Sequence, residues 1–166
     1  MNLYLVRHAI AEDTAPSGRD ADRRLSKEGR DKMRRVAEGL KALSVRFDLI
    51  LTSPYPRAAE TAAILGEVLA GIEIRMLPEL AAGADIPVLL SALRPYRQVE
   101  ELALVGHQPD LGLLAAQVLT GSPSLCPVAF KKGSVGCLAI ESPRGNLRGE
   151  LVWLMTPKQL RALAAS

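Results

Sequence analysis

Leu3-Tyr4-Leu5-Val6, followed at once by Arg7-His8, is the stretch from which the rest of the chain can be read. Four consecutive apolar residues without alternation are the pattern of a strand covered on both faces, as in the middle of a parallel sheet. Similar short runs recur at 49–51, 72–76 and 102–105, separated by longer segments with helical periodicity. After a polar loop over 12–24, Ser26 is placed as an N-cap. Met33, Val36, Ala37, Leu40 and Leu43 then form one apolar stripe. A second helix starts near Pro56 and turns Ala62, Leu65, Val68 and Leu69 inward. A short helix over 86–93 and another over 109–119 follow. The last two strand-like runs, 135–140 and 151–155, flank Pro143-Arg144-Gly145-Asn146, which reads as the turn of an edge hairpin. A helix over 157–164 closes the chain.

Strand–helix alternation of this kind predicts an α/β fold in three layers: an αβα sandwich around a six-stranded, mostly parallel sheet with an antiparallel edge hairpin. With no internal repeat and no linker-like stretch, residues 1–166 are expected to form a single domain. Apolar residues make up 48% of the sequence and aromatic ones only 4%, so the core must rest on Leu, Val, Ile and Ala.

Composition also narrows the function. The net charge is +3, and the basic residues between Arg19 and Arg35 are interleaved with Asp20, Asp22, Glu28 and Asp31. That pattern lacks the basic stripe and stacking aromatics of a nucleic-acid binder, and no nucleic-acid partner is expected. The charge-free stretch 111–130 is broken by Gly121, Pro123 and Pro127, so no membrane span is expected. Met1-Asn2 runs directly into the first strand, and no secretory leader is expected. Cys126 and Cys137 have neither metal spacing nor a disulfide framework and read as reduced thiols. A cytoplasmic location is the expectation.

The two histidines of the sequence each follow directly on a strand run, His8 after 3–6 and His107 after 102–105. In open α/β sheets, ligands bind beyond the carboxyl ends of the strands. Arg7 adjoins His8, and Arg57 lies just past the second strand. Two arginines and two histidines at three strand ends describe a pocket for a dianion, because guanidinium forks match phosphate oxygens and stay charged. No carboxylate cluster calls for a metal, and no cofactor is expected.

Three ordered motifs carry a resemblance. Leu5-Val6-Arg7-His8, then Ser53-Pro54-Tyr55-Pro56-Arg57-Ala58-Ala59-Glu60-Thr61, then Val105-Gly106-His107 resemble the histidine phosphatase superfamily, which includes the cofactor-dependent phosphoglycerate mutases. Ala9 after His8, the small size and Gly106-His107-Gln108-Pro109-Asp110 look most similar to the SixA-type phosphohistidine phosphatases. The resemblance runs from Leu3 to about Thr156 and implies a phosphoglycerate mutase-like fold. It implies that His8 is the nucleophile that becomes phosphorylated and that Arg7, Arg57 and His107 form the phosphate pocket. It also implies that Arg23 brings a further charge to substrate, with the neighbouring Arg24 as a substitute.

Two more residues carry paired readings. Ser53 either hydrogen-bonds phosphate as a substrate-binding residue or simply punctuates the start of a helix. Glu79, in Leu77-Pro78-Glu79-Leu80, is the candidate proton donor or else a solvated charge at the start of a helix. An alkoxide leaving group needs a good acid, whereas the phosphoramidate of phosphohistidine is protonated on its own imidazole. The short segment around Glu79 therefore favours metal-independent hydrolysis of phosphohistidine, with a phosphohistidine-bearing phosphotransfer protein as partner. The alternatives are a phosphomonoesterase acting on a small metabolite and, from a different class, a non-catalytic phosphate-binding module.

Overall fold

The computed structural model describes residues 1–141 and 147–164. Six strands form one sheet: β1 (Asn2–Arg7), β2 (Leu49–Thr52), β3 (Glu73–Met76), β4 (Glu101–Gly106), β5 (Val135–Ile140) and β6 (Gly149–Met155). Their order across the sheet is β3-β2-β4-β1-β5-β6. β3, β2, β4 and β1 run parallel, while β5 is antiparallel to β1 and β6 antiparallel to β5. The expected sheet is present, with β5 and β6 as its antiparallel margin. The turn expected at Pro143–Asn146 lies outside the described residues.

Alternation along the buried strands divides the core in two. Leu3, Leu5, Leu49, Leu51, Leu102 and Leu104 face one side, where they meet α3 (Ile86–Ala92) and α4 (Asp110–Thr120). Tyr4, Val6, Ile50, Ala103 and Val105 face the other, against α1 (Lys27–Ala42), α2 (Pro56–Leu69) and α5 (Pro157–Leu163). Leu5 and Leu104 are fully buried. Truncating either to Ala would cost about 2–5 kcal/mol, since a packed sheet cannot collapse into the cavity.

The helices begin where their side chains can satisfy free N–H groups. Ser26 accepts from Gly29 N at the start of α1, as its sequence position predicts, and Asp85 accepts from Val88 N at the start of α3. At α5, Thr156 and Gln159 form a reciprocal capping box. Met33, Val36, Ala37 and Leu40 bury the predicted α1 stripe, but Leu43 is 41% exposed. The helix ends at Ala42 and Leu43 falls on its C-cap, where the stripe's periodicity no longer applies.

One close approach fixes how α1 meets the segment beyond β1. A Cβ on Gly29 would stand 1.9 Å from the carbonyl oxygen of Ile10, so only glycine fits. The polar loop between them is pinched at its base by an Ala11–Leu25 bridge and a Glu12 N–H bond to Arg24 O. Within it, Asp20–Asp22 makes a single 3-10 turn.

Candidate active site

Register brings the strand ends together. Arg7 at the end of β1 lies opposite Gly106 at the end of β4, and Thr52 of β2 lies opposite Val105. The next residues, His8, His107 and Ser53, therefore leave three adjacent strands at the same edge. His8 N–H donates to Gly106 O at 3.0 Å and Ser53 N–H to Val105 O at 2.9 Å, which continues the ladder by one step. The two imidazole centroids are 5.2 Å apart, and both residues are about 95% buried, at 5% and 3% exposure.

His8 has a defined orientation. Its Nδ1–H donates to the carbonyl oxygen of Ala9 at 2.7 Å. A carbonyl only accepts, so the proton sits on Nδ1 and Nε2 keeps its lone pair. Burial pulls its pKa down to about 4, helped by the fields of Arg57, Arg7 and Lys132 and opposed by the bond to Ala9. His8 is therefore a neutral imidazole with one free basic nitrogen at pH 7.

His107 is held from its other side. Its Nε2 lies 2.8 Å from the Ser53 hydroxyl, whose oxygen also accepts from Tyr55 N–H at 3.3 Å. Its Nδ1 is buried without a partner. Burial is the main cause that lowers its pKa, to about 3, reinforced by His8, Arg57 and Arg7 and opposed by Asp20.

Each arginine is anchored by part of its guanidinium. Arg7 Nη1 donates to Phe130 O at 2.6 Å. The segment carrying Phe130 is itself fixed, because Gln108 Nε2 donates to Val128 O and a Cβ on Gly112 of α4 would lie 2.2 Å from that same oxygen. Arg57 Nη1 donates to Asp20 O at 2.6 Å and Nη2 to Asp20 Oδ2 at 3.0 Å. The Tyr55 ring centroid lies 5.0 Å from the Arg57 guanidinium carbon. In both arginines Nε is buried and unpaired.

Two buried N–H donors (Arg7 Nε and Arg57 Nε) and the buried Nδ1 of His107 thus lack partners. A buried donor without an acceptor costs about 1–3 kcal/mol. Three such atoms on different elements, with the His107 proton on Nδ1, are donors that an oxyanion with three equatorial oxygens would satisfy.

Of the other residues expected at the site, Arg23 is joined to it and Arg24 is not. Arg23 shares the carboxylate of Asp20 with Arg57, whereas Arg24 pairs with Glu60 at 3.0 Å. Ser53 is fully buried and reaches the site through His107. Glu79 sits in the 3-10 turn Pro78–Leu80 after β3, half-buried, with Oε2 buried and unpaired. The side-chain hydrogen bonds of His8, Arg7, Arg57 and His107 go to Ala9, Phe130, Asp20 and Ser53, none to Glu79. Two contributors were not singled out from the sequence. Asp20 looked like one of several interleaved charges. Thr61 donates to Arg57 O at 2.7 Å and accepts from Ala9 N–H at 3.1 Å, tying α2 to the residue after His8. Among the described residues no group of three or more His, Cys, Asp or Glu is placed to hold a metal ion, and no helix is long and apolar enough to cross a membrane.

Similarity to known proteins places the chain in a family. The family model of the histidine phosphatase superfamily (branch 1) matches residues 3–82, which contain Arg7, His8, Ser53 and Arg57. Phosphohistidine phosphatase SixA of Escherichia coli is 28% identical over 168 residues, with 99% of both chains covered. The chain belongs to the histidine phosphatase superfamily. An uncharacterized protein of Picosynechococcus is 34% identical over 163 residues, covering 96% of this chain and 99% of the relative. Among solved structures, the histidine phosphatase SixA complexed with tungstate superposes with a TM-score of 0.84 at 27% identity, covering 96% of this chain and 99% of that one. The protein is thus a SixA-like phosphatase with the phosphoglycerate mutase-like fold.

Proposed function

We propose that this histidine phosphatase hydrolyses phosphohistidine on a partner protein through a covalent phospho-His8 intermediate. The observation that carries the reading is the free Nε2 of His8 together with three unpaired buried nitrogens, Arg7 Nε, Arg57 Nε and His107 Nδ1. In the first step Nε2 attacks phosphorus, the bond to the substrate imidazole breaks, and that imidazole leaves with a proton. In the second, water attacks phospho-His8 and releases inorganic phosphate. Arg7 and Arg57 neutralise charge on the equatorial oxygens and His107 donates a hydrogen bond to them in both steps, without need of a metal. An imidazole leaving group needs no strong acid, which fits a site whose two histidines make no hydrogen bond to a carboxylic acid. The similarity to phosphohistidine phosphatase SixA supports the same substrate class.

The test is to incubate a phosphohistidine-bearing phosphotransfer domain with the wild-type protein and with His8→Ala. Wild-type protein should release phosphate and, on rapid quenching, carry acid-labile, base-stable phosphate. Undiminished release by His8→Ala would remove the assignment.

One observation favours a second reading. The buried, unpaired Oε2 of Glu79 lies in the turn that follows β3, at the same edge of the sheet. A carboxyl able to protonate an alkoxide would suit a small phosphomonoester. High activity on one metabolite in a phosphomonoester panel, abolished by Glu79→Gln, would select this reading.

A further inference from the structure

We propose that Asp20 is the positioning residue of the oxyanion pocket, holding Arg57 in its working orientation and joining Arg23 to it. The inference deepens the proposed function, since it rests on Arg57 being a phosphoryl ligand.

Asp20 grips Arg57 with two of its atoms. Its main-chain oxygen takes Nη1 at 2.6 Å and its Oδ2 takes Nη2 at 3.0 Å. These bonds take one N–H from each terminal nitrogen of the guanidinium and leave the second N–H of each and the buried, unpartnered Nε for other acceptors. The other carboxylate oxygen takes Arg23 Nε at 2.8 Å and Nη2 at 2.7 Å, while Arg23 Nη1 reaches Glu12 O at 3.0 Å. One carboxylate therefore bridges two guanidinium groups, each in a fixed plane.

The surroundings explain why such a device is needed. The Arg57 side chain is only 4% exposed, and that of Asp20 is 67% exposed. Asp20 thus closes the solvent side of a cation whose inner side must stay open for an anion. Arginine loses rotamer freedom when it is ordered, and a clamp that pays this in advance leaves less to be lost on binding. The clamp is itself anchored, because the loop bearing Asp20 is pinned by the Ala11–Leu25 bridge and by Glu12 N–H on Arg24 O. Charge points the same way. Asp20 partly offsets Arg7, Arg57 and Arg23, so the three cations and one carboxylate match a dianion in net charge. Its bonds to Arg23 and Arg57 keep its own pKa below the ordinary carboxylate value.

The experiment is calorimetric titration of inorganic tungstate into the wild-type protein, Asp20→Ala, Asp20→Asn and Arg23→Ala at pH 7, with thermal unfolding of each. Positioning predicts that Asp20→Ala binds tungstate about tenfold more weakly with an unchanged unfolding midpoint. Asp20→Asn, which keeps an acceptor oxygen, should recover part of the loss, and Arg23→Ala should show a smaller loss than Asp20→Ala. If Asp20 merely competes with the anion for the arginines, Asp20→Ala binds tungstate more tightly. That result, or unchanged affinity, overturns the role of Asp20 alone. Wild-type protein that binds no tungstate removes the pocket reading, and this proposal with it.

Discussion

Ser53 and His107 meet hydroxyl to imidazole, with 2.8 Å between Oγ and Nε2. Tyr55 N–H occupies one lone pair of the Ser53 oxygen. With the hydroxyl hydrogen directed at Nε2, the imidazole proton lies on Nδ1, the buried atom that has no partner. Through this bond Ser53 can decide whether His107 presents a donor at Nδ1.

Ser53→Ala should consequently lower kcat/KM by on the order of tenfold or more, because it frees His107 to adopt the wrong tautomer. The lost hydrogen bond should cost about 1 kcal/mol of stability. Steady-state kinetics together with nitrogen-15 NMR of the imidazoles checks both parts. An unchanged tautomer with normal turnover would sink the idea.

Arg23 and Arg24 should separate cleanly. Arg23→Ala removes a guanidinium that shares Asp20 with Arg57, and it should raise KM several-fold with a smaller effect on kcat. Arg24→Ala breaks an exposed pair with Glu60, of a kind that contributes no more than about 1 kcal/mol. It should leave both kinetic constants near wild type. Equal effects of the two substitutions would contradict the assignment.

The histidines predict an acid-side response. Both have folded pKa values below the ordinary imidazole value, about 4 for His8 and about 3 for His107, chiefly through burial. Below about pH 6.5 the unfolded chain takes up protons that the folded chain refuses. Stability should be insensitive to these groups above that pH and fall as the pH drops toward 4. Urea midpoints at pH 7, 5.5 and 4.5 measure the fall. Proton NMR of the two imidazoles should show no titration between pH 8 and 5, and a midpoint near 6.5 for either would refute the buried neutral pair.

Gly29→Ala should be costly although alanine is the better helix former. The added Cβ would meet Ile10 O at 1.9 Å, which forces α1 away from the segment two residues beyond His8. A loss of roughly 1–3 kcal/mol is expected from such overpacking, accompanied by reduced activity. A urea midpoint at or above wild type would show that the contact yields easily.

The sequence made the sheet legible because apolar runs such as 3–6 and 102–105 report burial on both faces, and because their ends carried the histidines. Leu43 was misplaced because periodicity says nothing about where a helix stops. The site was legible as far as charged side chains near strand ends could declare it: Arg7, His8 and His107 share one edge by register, and Arg57 follows β2 in the first turn of α2. Asp20 and Thr61 were not, since their importance comes from partners in distant segments. A loop carboxylate among alternating charges looks the same whether it meets water or two arginines. The carbonyl of Phe130, which anchors Arg7, belongs to the main chain and has no letter to read.

The reversed direction of β5 bears on how the protein could diversify. A parallel strand delivers its following loop to the catalytic edge, but β5 runs against β1 and delivers the segment that precedes it. That segment carries Phe130, which holds Arg7, and Lys132, whose charge is felt by His8. Changes in its length or composition would alter the surroundings of Arg7 and His8 while every strand kept its pairing. Grafting this stretch between relatives would therefore change what surrounds the phosphoryl group without disturbing the sheet.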